Sequence, residues 1–331
     1  MGARHTDNLH ARVAGAKVAG VMDPNLSRAK EVAARYGPAT VVFEDELALI
    51  RDDSIDAVVV ASPADTHAGL VMECLRHEKR VLCEKPLTTS VEDARKIVEA
   101  EVELGRKLVQ VGFMRRYDPQ HLGVKQAITT GAIGRPVLFK GWHRNLAAPP
   151  GMTSEFVIFS AAVHDLDAAR WLLGQENEEV YVRGTSTEPR SDSSALDMQL
   201  IQLSLGGGCL GTIEVYMNAA YGYEVGVEVV GEEGTVHTAP GGSPVLRRDQ
   251  TSYQRIESDW LERFQIAYVI EMQQWIEDLH KGEPTGPHAW DGYMSHVAVE
   301  SCIASLRSGS PQSLPTPERP VLYEQLAEVE K

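Results

Sequence analysis

Two short apolar runs, Ile55 to Ala61 and Val81 to Cys83, flank a stretch from Ala64 to His77 with helical periodicity, and this arrangement limits the chain more than any other. Runs of that length, apolar on both faces, suit strands covered by helices on either side, so the segment predicts a βαβ unit with parallel strands. The second run ends in Glu84-Lys85-Pro86. Lys85 therefore falls just past the carboxyl end of a parallel strand, where open α/β sheets bind their ligands. The residues alone leave two readings open, a lysine facing a ligand or a solvated lysine in a βα loop.

The same alternation runs through the first third of the chain. Helical stretches at Ala3 to Ala14, Leu26 to Tyr36 and Asp45 to Arg51 alternate with strand candidates at Lys17 to Met22 and Thr40 to Phe43. Beyond Lys85, Thr89-x-x-Glu92 reads as the capping box of a helix reaching about Leu104, and Lys107 to Phe113 supplies another strand. Strands and helices at this spacing predict a doubly wound parallel sheet of the Rossmann type.

Asp23 follows Gly2 by 21 residues, near the spacing at which a carboxylate holds the adenosine ribose in dinucleotide folds. Gly2 is then expected to be the last glycine of a Gly-x-Gly-x-x-Gly loop. The first two glycines of that loop, and the strand before them, are absent from this chain, so Met1 is expected to be an internal methionine of a longer one. The Asp23 carboxylate favours NAD by repelling a 2′-phosphate, while nearby Arg28 keeps NADP open.

At 331 residues the chain exceeds one ordinary core, so two domains are expected, 1–117 for dinucleotide binding and 118–331 for substrate binding and oligomerisation. The second half carries strand candidates at Pro136 to His143, Glu179 to Thr187, Asp197 to Leu205, Cys209 to Met217, Glu224 to Val230 and Thr235 to Thr238, joined by glycine-bearing turns. These predict an α+β domain with a large, mostly antiparallel open sheet, backed by helices such as Trp260 to His280 and Asp291 to Leu306.

A formal charge of −15 disfavours nucleic acid and anionic membranes as partners. No apolar run approaches the ~20 residues of a membrane span, and no signal peptide opens the chain. Cys74, Cys83, Cys209 and Cys302 are scattered, as in reduced cytoplasmic proteins. The eleven histidines form no His-Glu-x-x-His cluster, so no metal is expected.

Five strings point further: Glu84-Lys85-Pro86, Gly-Phe-Met-Arg-Arg-Tyr-Asp-Pro (112–119), Trp-His-Arg-Asn (142–145), Ala-Val-His-Asp-Leu-Asp (162–167) and Gly-Pro-His-Ala-Trp-Asp-Gly-Tyr (286–293). With them the chain resembles the glucose-fructose oxidoreductase and inositol dehydrogenase (Gfo/Idh/MocA) family over nearly its whole length, and most of all the bacterial myo-inositol 2-dehydrogenase branch.

The resemblance implies an NAD-dependent dehydrogenase acting on a secondary alcohol of a cyclitol or sugar, a homo-oligomer (dimer or tetramer) assembled through the open sheet face. Two alternatives are a keto-sugar reductase of specialised metabolism and a non-catalytic sugar-binding homologue. It implies His164 as the base that takes the hydroxyl proton and Lys85 as the group that stabilises the developing alkoxide, roles that suit both residue types.

The family places an aspartate four residues before this histidine, where the present chain has Ser160. Asp167, at i+3 from His164, is a partial substitute. Arg115, His143, Arg144, Tyr223 and Tyr268 are implied substrate contacts, while Ser62, Pro63 and His67 are expected to border the cofactor beside Glu84 and Lys85. Each of these has a plain alternative: solvated arginines, tyrosines packed on a sheet, a histidine at a helix start.

Overall fold

A computed structural model describes residues 1–187, 195–239, 245–282 and 284–324, which divide into two compact units. The first comprises Met1–Phe113, Tyr268–Met294 and the segment from Pro317 on; the second comprises Met114–Ala267 and Ser295–Thr316.

The first unit alternates α1 (Gly2–Ala11), β1 (Gly20–Val21), α2 (Leu26–Ala34), β2 (Val41–Val42), α3 (Glu46–Arg51), β3 (Ala57–Val60), α4 (Ala64–Arg76), β4 (Arg80–Glu84), α5 (Val91–Leu104) and β5 (Val109–Gly112). All strand pairs are parallel, as the buried runs predict. They form two sheets, β1-β2 and β3-β4-β5. Val58, Val60, Val81, Leu82, Cys83, Val109 and Val111 fill the interior of the larger one. The helix expected to start on a Thr89-Glu92 box is capped one residue later. Extended Ser90 accepts from the backbone of Asp93 and donates to its carboxylate, while Glu92 pairs with Arg95 one turn on. The helix stops at Gly105, whose φ of 63° only glycine adopts without strain.

The units first divide between Phe113 and Met114, where a single division at Tyr117 was expected, and the chain crosses between them again further on. Tyr268 to Met294 returns to the first unit because Met272, Trp275 and Ile276 pack against Val13 and Leu82, burying five apolar residues in one cluster. The segment from Pro317 also returns, and its Tyr323 hydroxyl donates to buried Glu101 at 2.6 Å.

The second unit contains α6 (Pro119–Thr129), β6 (Pro136–Arg144), the short turn α7 (Ser154–Phe156), a π-helical stretch Val157–Ala162, α8 (Val163–Leu173), β7 (Asn177–Thr185), β8 (Met198–Leu205), β9 (Cys209–Tyr216), β10 (Glu224–Gly231), β11 (Thr235–His237), β12 (Val245–Arg248), β13 (Thr251–Gln254) and α9 (Trp260–Arg263). Helices α10 (Gln265–Lys281) and α11 (Ala289–Ser308) are shared in sequence between the units, and β14 (Gln312–Ser313) completes the second.

A seven-stranded sheet in the order β11-β10-β6-β9-β8-β7-β14 is antiparallel except where β6 meets β9. Its strands alternate cleanly: Ile201, Leu203, Ile213 and Val215 are buried, while Leu200, Gln202 and Leu210 are exposed on the other face. The single helix expected from Trp260 to His280 is broken at Phe264. That fully buried ring packs near Tyr223 and His121, and its backbone leaves helical geometry to place it there. No helix among the described residues is long and apolar enough to cross a membrane.

Candidate active site

In the first unit the carboxyl ends of β1, β3 and β4 carry the expected residues. Asp23 lies two residues past β1, accepts a hydrogen bond from the backbone of Asn25 at 2.8 Å, and faces Arg28 at 3.5 Å. An added Cβ on Gly2 would meet only Ala61, at an ordinary 3.9 Å, so the packing does not itself demand glycine there.

Ser62 and Pro63 lead from β3 into α4. His67 is buried, with Nδ1 at 2.8 Å from the carbonyl of Pro86 and Nε2 at 2.9 Å from that of Ser62. The ring thus ties the loop after β3 to the loop after β4, a bracing role that its position near a helix start did not disclose. Lys85 sits in the second loop, preceding a cis proline.

Beside Lys85, Glu84 is buried and holds Nε2 of His5 at 2.6 Å. Burial acts to raise its carboxyl, but His5 and then Lys85 outweigh burial and hold it below the ordinary range. An added Cβ on Gly112 would come within 3.2 Å of Glu84, so a larger residue on the neighbouring strand would crowd that carboxylate. Tyr268 packs edge-on against His5, with ring centres 5.8 Å apart. Glu271 is fully buried nearby; burial, and then the charge of Glu84, push its carboxyl well above the ordinary range. Neither His5 nor Glu271 carried a signal in the sequence, since 79 residues separate His5 from Glu84.

These residues fit a dinucleotide. Helices α2, α3 and α5 are capped by Asn25, Asp45 and Ser90, whereas α1 and α4 begin without a side-chain cap. Their first backbone N–H groups are donors of the kind that hold anionic phosphates, and Asp23 offers acceptors for ribose hydroxyls.

In the second unit a buried polar network gathers four residues. Arg115, only 1% exposed, occupies the turn after β5 and donates from one Nη to Asp165 at 2.6 Å and from the other to Nδ1 of His143 at 2.9 Å. Tyr223, just before β10, meets the same imidazole edge-on at 5.6 Å between ring centres. Asp165 is held below its ordinary value against the opposing effect of burial, with the Arg115 guanidinium beside it the largest lowering influence; burial pushes the Tyr223 hydroxyl up.

Asp165 was absent from the expected site, although it stands inside the His-Asp-Leu-Asp string. His164 and Asp167 are buried on the same helix, and Asp167 takes a two-point ion pair from Arg116 at 2.6 and 3.0 Å. Ser160 lies in the π-helical stretch, so the run from 160 to 164 is not one regular α-turn.

Arg144 departs from expectation. It alternates with His143 along β6 and so points to the opposite sheet face, where Glu214 at 2.8 Å, Glu224 at 2.9 Å and the Tyr221 hydroxyl hold it.

Residues 1–113 match the family described as an oxidoreductase family with an NAD-binding Rossmann fold, and residues 125–314 match its C-terminal alpha/beta domain. The chain belongs to the Gfo/Idh/MocA oxidoreductases. Within that family it is 57% identical, over 99% of this chain and 94% of the relative, to the inositol 2-dehydrogenase of Rubrobacter xylanophilus. It is 35% identical, over 99% of this chain and 95% of the relative, to an inositol 2-dehydrogenase/D-chiro-inositol 3-dehydrogenase of Shouchella clausii. Among solved structures, the Lactobacillus casei myo-inositol dehydrogenase in complex with NAD(H) and myo-inositol superposes with a TM-score of 0.93 at 33% identity, covering 98% of this chain and 96% of the other. The chain is thus an oxidoreductase whose Rossmann domain takes NAD.

Proposed function

We propose that this protein is a cytoplasmic, homo-oligomeric dehydrogenase that oxidises a secondary alcohol of a cyclitol with NAD. The observation that carries the reading is the 57% identity to an inositol 2-dehydrogenase along almost the entire chain. NAD, when bound, supplies the acceptor for the hydride that leaves the alcohol carbon. His164 takes the hydroxyl proton, and Lys85 stabilises the negative charge that builds on the oxygen. Arg115, His143, Asp167, Tyr223 and Tyr268 serve the substrate, Arg115 and Asp167 through the side chains they hold. Gly2, Asp23, Ser62, Pro63, His67, Glu84 and Lys85 serve the cofactor, with His67 and Glu84 shaping the loops that flank it.

The exposed sheet face bearing Leu200 and Leu210 supports assembly into a dimer or tetramer. Light scattering on the purified protein tests the assembly, and a monomer at micromolar concentration would contradict it. A panel of cyclitols, sugars and keto-sugars, each offered with NAD or NADH, tests the chemistry. NADH formation with cyclitols is expected; reaction of keto-sugars with NADH alone would contradict the assignment.

A further inference from the structure

The proton positions on His143 follow from its neighbours. Arginine remains charged at any physiological pH and has five N–H donors but no acceptor. An Nη of Arg115 directed at Nδ1 of His143 over 2.9 Å therefore requires a lone pair on Nδ1. In the neutral ring the proton must then reside on Nε2. The competing arrangement has Nδ1–H donating to the second oxygen of Asp165. That distance is 3.4 Å, and this oxygen has no hydrogen-bond partner among the described residues. It would also press two N–H donors together at 2.9 Å. The shorter contact decides the matter, because a donor facing a donor costs more than a long ion pair gains.

A doubly protonated ring is disfavoured by the same geometry. Facing His143 are Arg115 from the turn after β5 and Asp165 from α8, with the hydroxyl of Tyr223 beside Nε2. Asp165 is already committed to Arg115 at 2.6 Å. A second cation would sit against the guanidinium and share a carboxylate that is already paired.

We infer that Arg115 is a positioning residue that locks His143 as the neutral Nε2–H tautomer, so that His143 offers a substrate hydroxyl a hydrogen-bond donor and cannot act as a proton acceptor. The proton-accepting role then falls to His164 alone. Two histidines on neighbouring elements thereby receive distinct tasks, one reading a hydroxyl oxygen and one moving a proton. The inference rests on the proposed cyclitol chemistry only for the identity of what Nε2–H meets; the tautomer itself does not depend on it.

Nitrogen NMR of the full protein labelled with ¹⁵N-histidine tests it, with the His143 signals found by their loss in His143→Gln. The expected spectrum shows a protonated Nε2 and a bare Nδ1, unchanged between roughly pH 5 and 8, where an ordinary histidine titrates. A protonated Nδ1, or a midpoint inside that range, would overturn the inference even if cyclitols are turned over. Failure of every cyclitol to react, with the expected tautomer present, would overturn only the functional reading.

Arg115→Lys gives a second readout, since lysine keeps the charge and loses the fork. If folded, it should let His143 titrate, adding a second ionisation to the acid side of kcat/KM and raising KM about tenfold, the worth of one hydrogen bond. An unaltered profile and KM in a folded variant would count against the lock.

Discussion

Nε2 of His5 lies 2.6 Å from the carboxylate of Glu84, a buried pair that fastens the first turns of α1 to the residue before Lys85. Because Glu84 is held below its ordinary range, the pair contributes stability above that range and loses it as pH falls. Removing one partner strands the other. His5→Ala should cost about 3 to 5 kcal/mol in urea unfolding, while Glu84→Gln, which leaves no buried charge, should cost less. Equal losses in the two variants would contradict a charged pair at this place.

Glu101 behaves in the opposite sense. Burial raises its carboxyl from 4.5 to about 7, against the hydrogen bonds from Tyr323 and from the backbones of Val109 and Leu108. The unfolded chain releases this proton near the lower value and the folded one near the higher. The contribution is therefore fully present below the lower value and is lost as pH rises to about 7. A tenfold difference in proton affinity between the folded and unfolded chains is equivalent to about 1.4 kcal/mol. Unfolding measured at about pH 5, early in that loss, and at about pH 8, beyond it, should show wild-type protein losing about 2 to 3 kcal/mol more than Glu101→Gln between the two.

Ser160 stands where the resembled family carries an aspartate. A hydroxyl can orient an imidazole but brings no charge to stabilise its protonated form, and the π-helical backbone there alters the spacing to His164. Ser160→Asp should raise kcat/KM on cyclitols and move the acid limb of the pH profile to higher pH. If a folded variant shows neither change, Ser160 belongs to a site already adapted to its own substrate.

Much of this was legible in the chain itself. Buried runs such as Val81 to Cys83 have only one comfortable environment, a parallel sheet covered on both sides, and the alternation of Ile213 and Val215 with Thr212, Glu214 and Tyr216 marked a half-exposed strand. The hairpin of β12 and β13 was not legible. Its turn residues Asp249 and Gln250 both have positive φ, but the pair lacks the glycine that usually announces such a turn.

The site shows the same division. Lys85, His164 and Arg115 stand in local strings that single them out as candidates; His5 and Glu271 come beside Glu84 only through distant packing, and Asp165 was passed over inside a string that drew attention to its neighbours. Arg144 misled because a one-residue step along a strand reverses the face, and periodicity does not say which face holds the chemistry.

Steady-state NADH formation from NAD and myo-inositol by the wild-type protein, Lys85→Ala and His164→Ala, each verified as folded, decides the proposed chemistry. Cyclitol-dependent turnover is expected from the wild type, and a fall in kcat of at least ~10² in each variant, the scale of proton-transfer and charge-stabilising assistance. Turnover in either variant equal to that of the wild type, or none by the folded wild type on any cyclitol, would be incompatible with the roles assigned to Lys85 and His164.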